Sequence, residues 1–160
     1  MLASVFFENI KIPDKAVVAS YCAFRNEIDP SIIAARLREK GYRIALPAID
    51  FKLRKMEFRL YDLQDELIKN KMGILEPSKD ATAAVPDVLL VPVVAFDKKL
   101  QRIGYGGGFY DRHIKMLRNE NNVLAIGIAH SCQEVEHIPS EPHDEAMDCI
   151  VTEINCIGRI

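Results

Sequence analysis

At 160 residues, with 49% hydrophobic and 28% charged content, the chain is long enough for one core and short for two. Its net charge of −2 gives no general attraction to nucleic acid, and no stretch approaches the roughly eighteen apolar residues of a membrane span. Neither nucleic acid nor a membrane is therefore expected as a partner, and the opening Met1-Leu2-Ala3-Ser4-Val5-Phe6-Phe7-Glu8 lacks the basic start and long apolar run of a secretion signal, which makes the cytoplasm the expected location.

In chain order, Ala16–Tyr21 reads as a first strand. A helix follows, with Asp29 as its cap, Pro30 at its first position, Ile33 and Leu37 on one face, Lys40 in the last turn and Gly41 after it. With a second strand over Arg43–Pro47 this makes a βαβ unit. The basic turn Lys52-Leu53-Arg54-Lys55 reads as a solvated loop, and Met56–Tyr61 alternates with period two, as a half-exposed or edge strand does. Val88–Pro92 is apolar on both faces, as buried parallel strands are. A helix is expected from about Phe109 to Arg118, with Tyr110, Ile114 and Leu117 on one face and Asn119 to Asn122 ending it. Leu124–Ala129 and Cys149–Thr152 close the set of strands. The alternation predicts a single α/β domain over 1–160, three-layered, with a mainly parallel sheet and helices on both faces.

Arg102-Ile103-Gly104-Tyr105-Gly106-Gly107-Gly108-Phe109-Tyr110-Asp111 holds four glycines between a cation and a carboxylate, just before the last helix. Such a run can turn several N–H groups and the positive end of the helix dipole toward one anion, and phosphate is its natural guest. It is not a P-loop, which needs G-x-x-x-x-G-K-[ST], and a purely structural glycine turn is the equal alternative. Asp111 beside the loop and Asp144 in Pro142-His143-Asp144 carry oxygen ligands suited to a hard cation such as magnesium. From the residues alone, a first-turn carboxylate and a turn residue are the favoured readings of the two. Glu27, past the first strand, either presents a carboxylate to a ligand or supports the helix cap. Tyr105, Phe109 and Tyr110 either pack on a flat heterocycle or belong to the core. The scattered cysteines Cys22, Cys132, Cys149 and Cys156 read as reduced and structural: zinc binding with His130 or His137 has no supporting spacing, and no histidine has a triad partner.

The segments Val91-Pro92, Ala95-Phe96-Asp97 and Arg102 through Asp111 resemble the signature of the 5-formyltetrahydrofolate cyclo-ligase family. Asn26-Glu27-Ile28-Asp29, Ala45-Leu46-Pro47, Gly73 to Pro77 and Glu141 to Asp144 with Met147-Asp148 and Ile150 to Thr152 follow in the family's order. The resemblance implies a fold like that of ribose-5-phosphate isomerase and CoA transferases, and an ATP- and magnesium-dependent ligase, monomeric, acting on 5-formyltetrahydrofolate. It implies ATP contacts from Arg102, Ile103, Gly104, Tyr105, Gly106, Gly107, Gly108, Phe109 and Tyr110, with Arg102 and Tyr105 nearest the chemistry. The folate would meet Cys22, Glu27 and Tyr105 through Phe109, and Asp111 with Asp144 would hold Mg2+. Phe109 replaces a tyrosine usual in the motif, and Cys22 stands where the family varies among apolar residues. The family's basic N-terminal helix is represented only by its latter part at Met1 to Phe7, so the chain is expected to be N-terminally shortened. A binding-only relative and a sugar-phosphate isomerase are the rival readings.

Overall fold

The computed structural model describes residues 1–158. Helix α1 (Leu2–Asn9) leads into β1 (Val17–Ala19), α2 (Ser31–Glu39), β2 (Arg43–Asp50) and β3 (Lys55–Leu60). A small hairpin of β4 (Leu67–Lys69) and β5 (Leu75–Pro77) precedes the short β6 (Ala83–Ala84) and then β7 (Val88–Pro92). A second hairpin, β8 (Ala95–Phe96) with β9 (Arg102–Ile103), delivers the chain to α3 (Phe109–Glu120), which is followed by β10 (Leu124–Ile128), β11 (Cys149–Val151) and β12 (Cys156–Gly158).

Among the described residues, one eight-stranded sheet runs in the order β12-β11-β10-β7-β1-β2-β3-β6. The five central strands, β11 to β2, are parallel; β12 pairs antiparallel with β11, β3 with β2, and β6 with β3. The centre falls where the sequence is most uniformly apolar: Val88, Leu89, Leu90 and Val91 are wholly buried and face both layers in turn. Val88 and Leu90 pack with Phe6 of α1 and with Ile33 and Leu37 of α2. Leu89 and Val91 pack with Ile114 and Leu117 of α3, with Tyr110 against the same layer. Burial of each such side chain contributes roughly 1.5–3 kcal/mol, so the helices are held by these stripes rather than by propensity. The three-layer, mainly parallel expectation is what the molecule has.

Local differences have local causes. Pro30, not Asp29, is the N-cap of α2, and the Asp29 carboxylate accepts from Ser31 N at 2.9 Å from one position earlier. Strand β2 continues past Pro47 to Asp50 because β3 pairs with it down to Asp50↔Lys55. Strand β3 is not at the edge, since β6 covers part of its far side. Helix α3 runs two residues beyond Arg118, to Glu120.

Candidate functional site

Strand β1 passes its chain toward β2 on one side, and β7 passes its chain toward β10 on the other, although β1 and β7 are themselves neighbours. This reversal makes the carboxyl ends of β1 and β7 a topological switch point, the place where open α/β sheets bind ligands in a crevice. Ser20 to Pro30 leaves β1 there, and Val93 to Gly108 leaves β7 there, so two segments far apart in sequence are brought to one point.

The segment after β7 is shaped by a buried carboxylate. Asp97 is 1% exposed; its Oδ1 accepts from Lys99 N and Gln101 N at 2.9 and 3.1 Å, and its Oδ2 accepts from Ile138 N at 3.0 Å. These bonds fold the turn between β8 and β9 and thereby aim Arg102. Gly106 (φ 89°) and Gly108 (φ 64°) occupy the left-handed region, the latter as the N-cap of α3, so the loop reaches the helix by a path that side-chain-bearing residues resist.

Arg102 lies under this loop with its side chain 4% exposed. Its Nη2 is 3.2 Å from Asp111 Oδ2, and its guanidinium sits 5.9 Å from the centroid of the Tyr110 ring. The ion pair is close but poorly aimed, since Arg102 Nε and Nη2 are buried without a hydrogen-bond acceptor. Two donor atoms of a permanent cation are thus left without an acceptor beside the glycine loop. Asp111 Oδ1 accepts from Glu145 N at 3.0 Å, which docks the Glu141–Asp148 loop against the first turn of α3. Asp144 lies next in chain to that contact, with its Oδ2 on Glu141 N at 2.8 Å. Among the described residues no three His, Cys, Asp or Glu side chains gather as a metal cage. Asp111 and Asp144 stand on docked elements, each with a carboxylate oxygen already accepting from the Glu141–Asp148 loop.

On the β1 side, Glu27 Oε2 accepts from Phe24 N at 2.8 Å. Burial raises the Glu27 carboxyl above its ordinary range, and the Phe24 bond opposes that rise. The Tyr110 phenol is pushed up by burial and by the Glu27 charge and drawn down by Arg102, with Cys22 also nearby, which places Tyr110 between the two segments as a neutral donor. Burial, then Asp29, raises the Cys22 thiol, so it lines the site as a small neutral group. Tyr105 is exposed, its ring edge-on to Phe24 at 6.2 Å and its hydroxyl 3.5 Å from the Phe24 carbonyl oxygen. Ile103 is exposed on the hairpin.

Glu27, Cys22, Tyr105, Tyr110, Arg102 and Asp111 therefore converge, with Asp144 one step behind. Sequence reasoning passed over Phe24, whose ring is edge-on to Tyr105 and carries Arg25 at 5.0 Å, and Phe51, edge-on to Phe109 at 6.2 Å. It also passed over Arg112, which donates to the Gly107 carbonyl at 3.0 Å and sits 5.1 Å over Phe109. Of these, only Arg112 carried a signal, its place one turn after Gly108.

The model of the 5-formyltetrahydrofolate cyclo-ligase family matches residues 1–153. The 5-formyltetrahydrofolate cyclo-ligase of Escherichia coli K12 is 37% identical over 140 residues, covering 84% of this chain and 76% of that protein. That of Haemophilus influenzae is 34% identical over 132 residues, 79% of this chain and 70% of that one. The solved 5,10-methenyltetrahydrofolate synthetase of Aquifex aeolicus superposes with a TM-score of 0.75 at 28% identity, over 99% of this chain and 80% of that one.

Proposed function

The chain belongs to the 5-formyltetrahydrofolate cyclo-ligase family, and from that premise we infer that it is an ATP-dependent ligase converting 5-formyltetrahydrofolate to 5,10-methenyltetrahydrofolate. The observation that carries the reading is the meeting, at the β1/β7 crevice, of the half-buried Glu27 carboxylate with a glycine loop backed by the unused donors of Arg102.

The formyl group is an amide, whose carbon is a poor electrophile. Transfer of the ATP γ-phosphoryl group to the formyl oxygen releases ADP and turns that oxygen into a leaving group. N10 then bonds to the formyl carbon, the carbon–oxygen bond breaks as phosphate departs, and the N10 proton is lost, leaving the cation shared between N5 and N10. No protein nucleophile is needed, so catalysis rests on positioning and charge stabilisation.

Glu27 accepts the N–H groups along the pterin edge, and Cys22 lines that pocket. Tyr105, Tyr110 and Phe109 give the heterocycle aromatic surface. The amides of Gly104 to Gly108, with Ile103 leading into them, and the N-terminal end of α3 face the phosphates. Asp111 and Asp144 would hold magnesium, which would supply positive charge against the phosphates. With Asp111 engaged by the metal, Arg102 would be free to offer its donors to phosphate oxygens. One chain supplies each of these groups, which fits a monomer built as one domain. Among the described residues no helix is long and apolar enough to cross a membrane, and the cytoplasm is the proposed site of action.

The test is the absorbance rise of methenyltetrahydrofolate when the purified 160-residue chain meets 5-formyltetrahydrofolate, ATP and magnesium, with ATP omitted as control. ATP-dependent product is expected; folate binding without product would reassign the chain as a binding protein.

A further inference from the structure

Arg112 stands in the first turn of α3, exposed, and among the described residues it forms no ion pair. Its side chain turns back over the glycine loop. Nη2 donates to the Gly107 carbonyl at 3.0 Å, and the guanidinium lies 5.1 Å from the centroid of the Phe109 ring, which itself meets Phe51 edge-on. Nη1 stands 2.9 Å from the point a Cβ on Gly108 would occupy, so a side chain there would push the guanidinium aside. The backbone N–H of Arg112 donates to the Gly108 carbonyl at 3.2 Å. One residue thus holds the carbonyls of two successive peptides.

A trans peptide is planar, so its N–H points opposite to its C=O. With the Gly107 carbonyl on the guanidinium, the Gly108 N–H points away from Arg112. With the Gly108 carbonyl on Arg112 N, the Phe109 N–H points out of the N-terminal end of α3. Among the described residues neither N–H has a protein acceptor, and no side chain caps the helix. They are the donors that an anion at this loop would meet. The Gly107–Gly108 peptide is also the one its own residues hold least: no Cβ on either side restricts rotation about it, and a half-turn would put a carbonyl oxygen where the N–H had been.

We propose that Arg112 is a positioning residue of the ligase reaction: it fixes the polarity of the Gly107–Gly108 peptide, so that an N–H and not a carbonyl oxygen faces the ATP phosphates. The proposal rests on the ATP reading of the glycine loop. Arg112 acts through that peptide and not by touching the nucleotide, because the donor nearest the loop is already committed to the Gly107 carbonyl. The two arginines beside the loop thus differ in use. Arg102 keeps donors free, whereas Arg112 uses one to hold the backbone in the orientation that makes the loop an anion site.

The test compares Arg112→Ala and Arg112→Lys with the parent chain in two readouts: the KM values for ATP and 5-formyltetrahydrofolate, and the backbone amide NMR signal of Gly108 in the free protein. Apparent affinity falls with the fraction of loops in the competent orientation, so a loop left about one-tenth competent shows an ATP KM about tenfold higher. That rise is expected for Arg112→Ala, with the folate KM and Tm little changed. The Gly108 signal should shift or broaden in the same variant before any nucleotide is added. Arg112→Lys, which keeps a charged donor, should recover most of both. An unchanged ATP KM in Arg112→Ala, or ATP and folate KM values that rise together, would overturn the proposal. So would a raised ATP KM with an unmoved Gly108 signal, since the guanidinium would then act on the nucleotide itself. If the parent chain turns over no folate, the ligase reading fails on its own account. The Gly108 signal during a titration with magnesium–ATP then decides the loop: a response in the parent that is lost in Arg112→Ala supports the positioning role, and equal responses in both refute it.

Discussion

The two ends of α3 each hold an arginine against carboxylates, and they use it in opposite ways. At the C-terminal end Arg118 donates to Glu145 Oε2 at 2.8 Å and to Asp148 Oδ2 at 3.0 Å, and Asp148 Oδ2 also accepts from Ala125 N at 2.7 Å. Those aimed bonds tie the helix, the Glu141–Asp148 loop and β10 together. At the N-terminal end Arg102 is more buried, yet Nε and Nη2 have no acceptor and its partner Asp111 is merely close. A buried guanidinium with spare donors carries a cost that an incoming phosphate would remove on the proposed reading. On the proposed reading, the saturated end serves stability and the unsaturated end a ligand.

Arg102→Ala is the hardest test of that contrast. Removing one preorganised donor from a charge-developing site costs about 10²–10³-fold in kcat. A loss of that size in kcat with Tm little changed is expected from parallel turnover and thermal melts. If Tm collapsed and the residual folded enzyme kept its rate, the two ends of α3 would be alike.

Glu27→Gln extends the contrast to the other side of the crevice. A charged hydrogen bond contributes roughly 1.5–3 kcal/mol, so kcat/KM for the folate should fall about ten- to a hundredfold. Because burial raises the Glu27 carboxyl, the acidic limb of the kcat/KM–pH profile should lie above the ordinary glutamate value of about 4.3 and vanish in the variant. The stability sign is opposite. A raised pKa means that the folded state holds the proton more tightly than the unfolded chain. Stability is therefore fullest below the unfolded value and falls as pH rises through the raised one. Glu27→Gln should thus melt slightly higher than the parent at neutral pH and show no such gain in acid. A Tm that fell at neutral pH would make Glu27 a structural residue.

Arg118→Ala should behave as the mirror image of Arg102→Ala. About 1–3 kcal/mol of stability is lost, because the Glu145 and Asp148 carboxylates lose their shared partner, while kcat at saturating magnesium changes by no more than a few-fold. Denaturant unfolding beside a magnesium titration checks both halves.

What was legible in the sequence follows the same division. The strand β7 and the stripe Tyr110, Ile114, Leu117 could be read because burial imposes a pattern on neighbouring residues. The glycine loop was legible because left-handed backbone selects residue types locally. Hairpins β4–β5 and β8–β9 were not, being only two or three residues per strand; the second is organised by the long-range Asp97–Ile138 bond rather than by alternation. That Arg102 would be buried against Asp111 rather than presented to solvent also lay beyond reach. Its position depends on the Asp97 turn and on α3 together, and a charge in a sequence carries no mark of how far its neighbours enclose it. The Phe51–Phe109 and Phe24–Tyr105 contacts join segments that only the sheet order brings together.

Tyr105 gives the smallest expected effect and the finest resolution of the contrast. Its hydroxyl stands 3.5 Å from the Phe24 carbonyl oxygen, too long for a strong bond, whereas its ring meets Phe24 and spans the two walls of the crevice. Tyr105→Phe keeps the ring and should alter kcat/KM by less than about threefold, since a weak exposed hydrogen bond contributes at most a few tenths of a kcal/mol beyond what water replaces. Tyr105→Ala removes the aromatic bridge and should raise the folate KM by about three- to tenfold, the worth of one aromatic pair of about 0.5–1.5 kcal/mol, with the ATP KM less affected. If Tyr105→Phe instead lost as much rate as Arg102→Ala, the hydroxyl would act on the reacting atoms directly, and the open end of α3 would work through a donor that swings from Phe24 to the substrate rather than through the guanidinium alone.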